Sequence, residues 1–88
     1  MKLIIAVIRD NDNDQVCQAL TSRGYGITRV ASTGGFLRKG STTLLICLED
    51  NKVDEAIQTI RDSTSSPEEP GIKRATLFVI QVENFAQI

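Results

Sequence analysis

Two segments of this chain are apolar on both faces of an extended strand, and that property constrains the fold more than any other. Residues 2–8 read Lys-Leu-Ile-Ile-Ala-Val-Ile, and residues 42–48 read Thr-Thr-Leu-Leu-Ile-Cys-Leu. A strand with one wet face alternates polar and apolar residues, whereas aliphatic residues at both parities belong in the middle of a sheet covered on both sides. The chain has only two helical segments with which to cover such a sheet.

The first helix is expected from about Asn13 to Arg23. Asp12 followed by Gln15 resembles a capping box, Val16, Cys17 and Leu20 fall at helical spacing, and Gly24 supplies the stop. The second begins near Asp50, where Val53, Ala56, Ile57 and Ile60 form an i, i+3, i+4, i+7 stripe. Residues 25–31 and 74–82 read as further strands, and 32–41 and 63–71 as connections. The order is therefore βαββαβ. This is an α+β chain with a ferredoxin-like fold, an antiparallel four-stranded sheet carrying both helices on one face, because each βαβ crossover is right-handed. The 88 residues form a single domain, 1–88. Helices on one face leave the aliphatic residues of the other face in water, so symmetric association through that face is expected.

Composition removes several function classes. The chain has no His and no Trp, so the commonest general base and zinc ligand are missing, and no cofactor or metal is implied. Ten Lys and Arg against eleven Asp and Glu give a net charge of −1, which offers nucleic acid no general attraction. The central strands also lack the stacking aromatics of an RNA-binding sheet. The apolar runs 3–8 and 44–48 are far too short to span a membrane, no leader pattern opens the chain, and a cytoplasmic location is expected. Cys17 and Cys47 make no CxxC pair and read as small buried apolar residues. Asp10, Asp12 and Asp14 alternate in a polar turn without completing a calcium loop, and are expected to serve the helix start. Phe85 and Ile88 give the tail an apolar side that is expected to dock.

The most unusual stretch is Thr33-Gly34-Gly35-Phe36-Leu37-Arg38-Lys39-Gly40-Ser41. Its glycine spacing imitates a P-loop, but Ser41 stands where the lysine belongs and a strand follows instead of a helix. Two readings remain open. The backbone approaches a ligand closely beside Phe36, Arg38 and Lys39, or the glycines merely make a hairpin turn. Phe78 is likewise either core or an aromatic face for a ligand.

Taken together, the opening Met1-Lys2-Leu3-Ile4-Ile5-Ala6-Val7-Ile8, the stretch Ala-Ser-Thr-Gly-Gly-Phe-Leu-Arg-Lys-Gly at 31–40, Val53-Asp54-Glu55, Ala75-Thr76-Leu77-Phe78-Val79 and Phe85-Ala86-Gln87 resemble the PII-like signalling proteins, specifically the branch of cyclic di-AMP receptors. The resemblance implies a homotrimer that binds an adenine nucleotide in the clefts between subunits, catalyses nothing and regulates a partner protein. Carried over, it makes Thr28, Gly35, Phe36 and Leu37 cleft residues for phosphate and base, Phe78 the ring that packs on an adenine, and Gln87 a tail residue that reaches the ligand. From the residues themselves, Thr28 and the backbone of Gly34 and Gly35 are expected to hold a phosphate, with Arg38 or Lys39 supplying charge. Three positions depart from the pattern. Gly26 replaces an Arg, Ser41 an Asn that reads the adenine edge, and Cys47 a Gly lining the base pocket. The alternative function is a regulatory oligomerisation domain with no nucleotide ligand.

Overall fold

The computed structural model describes residues 1–30, 40–65 and 73–88. Its elements follow the expected order: β1 (Lys2–Arg9), a short 3-10 turn (Asp10–Asp12), α1 (Asn13–Ser22), β2 (Thr28–Val30), β3 (Ser41–Leu48), a second 3-10 turn (Asp50–Lys52), α2 (Val53–Ser63) and β4 (Ala75–Gln81). The strands form one antiparallel sheet in the order β2-β3-β1-β4, with the two doubly apolar strands at its centre. The ferredoxin-like arrangement is thus present as expected.

Strand parity divides the sheet. Ile4, Ala6 and Ile8 of β1 and Leu44, Ile46 and Leu48 of β3 are buried with Val16 and Leu20 of α1 and Ala56 and Ile60 of α2, forming one core beneath the helices. Ala75 and Leu77 of β4 pack against its edge. The opposite parity, Leu3, Ile5 and Val7 with Leu45 and Cys47, is only partly buried. On β4 the same face carries Phe78 and Ile80, 54% and 45% exposed. The register places Phe78 opposite Ile5, which lies opposite Leu45, which lies opposite Thr28, so one cross-strand row runs from edge to edge.

Several boundaries differ from the sequence expectation for identifiable reasons. α1 closes with Gly24 at φ +88, its amide bonded to the Thr21 carbonyl at 2.9 Å and the Tyr25 amide to the Leu20 carbonyl at 3.1 Å. This is the Schellman arrangement, and it spends the Tyr25 amide on the helix end, so the described part of β2 begins only at Thr28. Residues 50–52 tighten into a 3-10 turn before α2. The two cysteines are free and half-buried rather than fully buried. The tail does not dock within the chain: Phe85 is 56% exposed and Ile88 fully so.

Asp12 is the largest revision. It makes no capping bond to α1. Its side chain is 0% exposed, with Oδ2 accepting from Arg9 Nη2 at 2.8 Å and Nε at 3.2 Å, and Oδ1 accepting from the Ser65 hydroxyl at 2.5 Å and amide at 3.2 Å. Burial alone would raise the Asp12 pKa, but the Ser65 and Arg9 donors outweigh it and hold the carboxyl below its ordinary 3.8. The helix starts need no side-chain caps because each α-helix continues directly from a 3-10 turn.

Two stability outcomes follow from these contacts. Ile46→Ala, which opens a cavity in the middle of the core, should cost about 3 kcal/mol in urea unfolding. Asp12→Ala, which leaves Arg9 and Ser65 without their shared acceptor, should also cost about 3 kcal/mol. Because the folded pKa of Asp12 is lowered, its ionised form stabilises the fold above about pH 4, and that contribution disappears as the pH falls through the folded value. The stability gap between wild type and Asp12→Asn should therefore narrow below pH 4 and stay constant from pH 5 to 7.

Candidate functional site

A cavity of about 320 Å³ opens where the end of α1 meets the end of β3. Its wall is made by Arg23, Gly24, Tyr25 and Gly26 on one side and by Cys47, Leu48 and Glu49 on the other, with Met1, Lys52 and Glu55 at the rim. The Schellman turn at Gly24 carries the chain straight into this wall, and the Tyr25 hydroxyl, donating to Glu55 Oε1 at 2.8 Å, ties it to α2. Burial and this acceptor both raise the Tyr25 pKa, which keeps the phenol protonated and donating. Gly26 has a negative φ, and a Cβ built on it meets no atom within 4 Å. The cavity therefore has free volume at the place where a long side chain would sit.

Two of the three positions that depart from the receptor pattern, Gly26 and Cys47, thus share one cavity. The sequence reading missed Arg23 and Lys52, which bring positive charge to the same cavity beside the carboxylates of Glu49 and Glu55. Among the described residues, neither is in an ion pair. No spacing links them in the sequence; the end of α1 and the turn before α2 meet only through the fold.

The other expected site residues are widely dispersed. Thr28 is exposed on β2, on the helix-free face, close to the cavity in sequence and in register. Ser41 is buried at the opposite end of β3 from Cys47. Six residues of extended strand put the two about 20 Å apart. Phe78 lies on β4, three strand spacings from Thr28, or about 14 Å. It is exposed and not part of the core of the single chain. Gln87 is exposed in the tail. Gly34, Gly35, Phe36, Leu37 and Arg38 lie outside the described residues, as does Lys39. Among the described residues a single chain thus brings Gly26, Cys47 and Thr28 to the β2 side of the sheet and Phe78 to the opposite edge.

Among the described residues no cluster of His, Cys, Asp or Glu is placed to hold a metal ion. No helix among them is long and apolar enough to cross a membrane.

Comparison with known proteins places these features in a family. The profile of the cyclic-di-AMP receptors matches residues 1–70. The nitrogen fixation nifHD region GlnB-like protein 1 of Methanothermococcus thermolithotrophicus is 33% identical over 75% of each chain. Among solved structures, a functionally unknown protein from Pediococcus pentosaceus superposes with a TM-score of 0.81 at 29% identity, covering 99% of this chain and 96% of the other.

The open space at Gly26 yields a direct expectation. Gly26→Arg should fold with stability within about 0.5 kcal/mol of wild type, checked by urea unfolding. A loss several times larger would mean that the cavity cannot accept the side chain.

Proposed function

The chain belongs to the cyclic-di-AMP receptor family of PII-like proteins, and from that premise we propose that it binds an adenine nucleotide, cyclic di-AMP or a close relative, in the clefts of a homotrimer and passes the bound state to a partner protein in the cytoplasm. Members of the family are non-catalytic signalling proteins, and this chain is not an enzyme.

The observation that carries the reading is the separation of the two half-sites across an apolar sheet face. The Gly26 and Cys47 cavity with Thr28 lies at the β2 edge, and the exposed Phe78 ring lies at the β4 edge. Copies that bury Leu3, Ile5, Leu45 and Ile80 against one another bring the β2 edge of one beside the β4 edge of the next, and only such a cleft offers a base both a polar wall and a ring to stack on.

In this cleft Thr28 and the backbone of Gly34 and Gly35 hold phosphate, Phe36, Leu37 and Phe78 enclose a base, and Ser41 and Gln87 add polar contacts. Arg23 and Lys52 at the cavity rim, together with Arg38, supply the charge that Gly26 lacks. Ser41 offers fewer hydrogen bonds to an adenine edge than an Asn, and Cys47 narrows the base pocket. Both changes weaken cyclic di-AMP relative to receptors that keep Arg and Asn.

Calorimetry across cyclic di-AMP, ATP, ADP, AMP and cyclic AMP tests the reading. At least one should bind. Phe36→Ala should lose about 1–3 kcal/mol of binding while the oligomer persists. The pair Gly26→Arg with Ser41→Asn should gain affinity for cyclic di-AMP. Absence of binding by all five at millimolar concentration would leave the oligomerisation-domain reading. In sedimentation equilibrium the wild type should run as a trimer and Ile5→Asp, which puts a charge on the free face, as a monomer. A wild-type monomer of 9.7 kDa at micromolar concentration would contradict the cleft altogether.

A further inference from the structure

We infer that the Asp10-Asn11-Asp12 turn couples the start of β3 around Ser41 to Ser65, just beyond the end of α2, so that a ligand held at Ser41 is felt at Ser65. The ligand part of this inference rests on the nucleotide reading above; the coupling does not.

The geometry on the Ser41 side is a two-point grip. The Asp10 amide donates to the Gly40 carbonyl at 2.8 Å, and the Thr42 hydroxyl donates to Asp10 Oδ1 at 2.5 Å. Asp10 thus holds the residues on both sides of Ser41, and Gly40, at φ +84, adopts the left-handed backbone needed to enter the strand at this point. The β1 to β3 register sets Arg9 directly opposite Ser41.

The grip on the other side is equally specific. Arg9 donates twice to Asp12 Oδ2 and, through Nη2, also to the Ser65 carbonyl, while Asp12 Oδ1 takes the Ser65 amide and hydroxyl. Ser65 is therefore held by its amide, carbonyl and side chain. Its anchors are Arg9, which faces Ser41 in register, and Asp12, two residues after Asp10. The intervening backbone is a single 3-10 turn, closed by the Asn13 amide on the Asp10 carbonyl. A buried carboxylate with both oxygens engaged cannot shift without uncovering charge in an apolar setting, so displacement of Asp10 or Arg9 is transmitted to Ser65 instead of being absorbed. Linkage requires the reverse as well: loosening Ser65 must loosen the start of β3.

Amide hydrogen exchange on the full chain tests this without any nucleotide. Thr42→Val removes one bond of the first grip and should speed exchange at the Ser65 amide by about tenfold or more. Ser65→Ala, which removes the hydroxyl from the second grip, should speed exchange at 40–42 to a similar degree. Ser63→Ala is the control. Its hydroxyl donates to the Thr59 carbonyl within the same helix end, away from Asp12, so it should leave 40–42 unchanged. Responses confined to the mutated end, or an equal response to Ser63→Ala, would overturn the coupling. In a second arm, saturating cyclic di-AMP should slow exchange at Ser65 in the wild type, and Asp12→Asn should abolish that slowing while the nucleotide still binds. Binding with no change at Ser65 in the wild type would also overturn it. If no nucleotide binds but the two mutational responses cross the turn, the coupling stands and the nucleotide reading falls.

Discussion

A sheet covered by helices on one side only has a second face whose fate determines everything else, and in this chain that face is made of Leu3, Ile5, Val7, Leu45, Phe78 and Ile80. Among the described residues two α-helices lie over the four strands, and both are committed to the core around Ile4, Ile46 and Ile60. The β-branched residues that fit β1 and β3 for central positions thus also build a surface poorly suited to water. Association through that surface, as proposed, also explains why Thr28 and Phe78, expected at one site, lie about 14 Å apart in a single chain (~4.8 Å per strand spacing). The binding cleft would then be a property of the assembly, with each copy supplying a polar wall from its β2 edge and an aromatic ring from its β4 edge.

The turn after β1 supplies the second constraint. Asp10 and Asp12 fall in one 3-10 turn, yet they hold residues far apart in the chain: Gly40 and Thr42 through Asp10, and Ser65 through Asp12. The first pair lies at the start of β3 beside Ser41, and the third just beyond the end of α2. One short polar turn thus organises the sheet end at which β3 begins, the end opposite the Gly26 and Cys47 cavity.

Much of this was legible in the sequence because it rests on local rules. Apolar residues at both parities identify β1 and β3 as central strands, and the Val53, Ala56, Ile57, Ile60 stripe identifies α2. Gly24 marks the end of α1 because only a left-handed residue closes that turn without strain. What stayed hidden depends on long-range contact. Asp12 looks like a cap by position, but Ser65 and Arg9 compete for its carboxylate and prevail. Arg23 and Lys52 reach the Gly26 cavity from separate turns with no sequence relation between them. Tyr25 reads as strand, but its amide and hydroxyl are already spent on α1 and Glu55. The tail, with Phe85 and Ile88 exposed, finds no surface on its own chain.

The central claim is that the nucleotide cleft is shared between copies, and complementation between two defective variants tests it most directly. Thr28→Lys damages only the β2-edge half-site and Phe78→Ala only the β4-edge half-site, so each pure oligomer should bind cyclic di-AMP poorly. When the two are unfolded, mixed in equal amounts and refolded, about a quarter of the clefts in a randomly assembled ring pair an intact Thr28 with an intact Phe78. The account predicts that calorimetry on the mixture recovers high-affinity binding at about that fraction of sites. Recovery of none would mean that both residues serve a site within one chain, or no site at all, and would contradict the shared cleft.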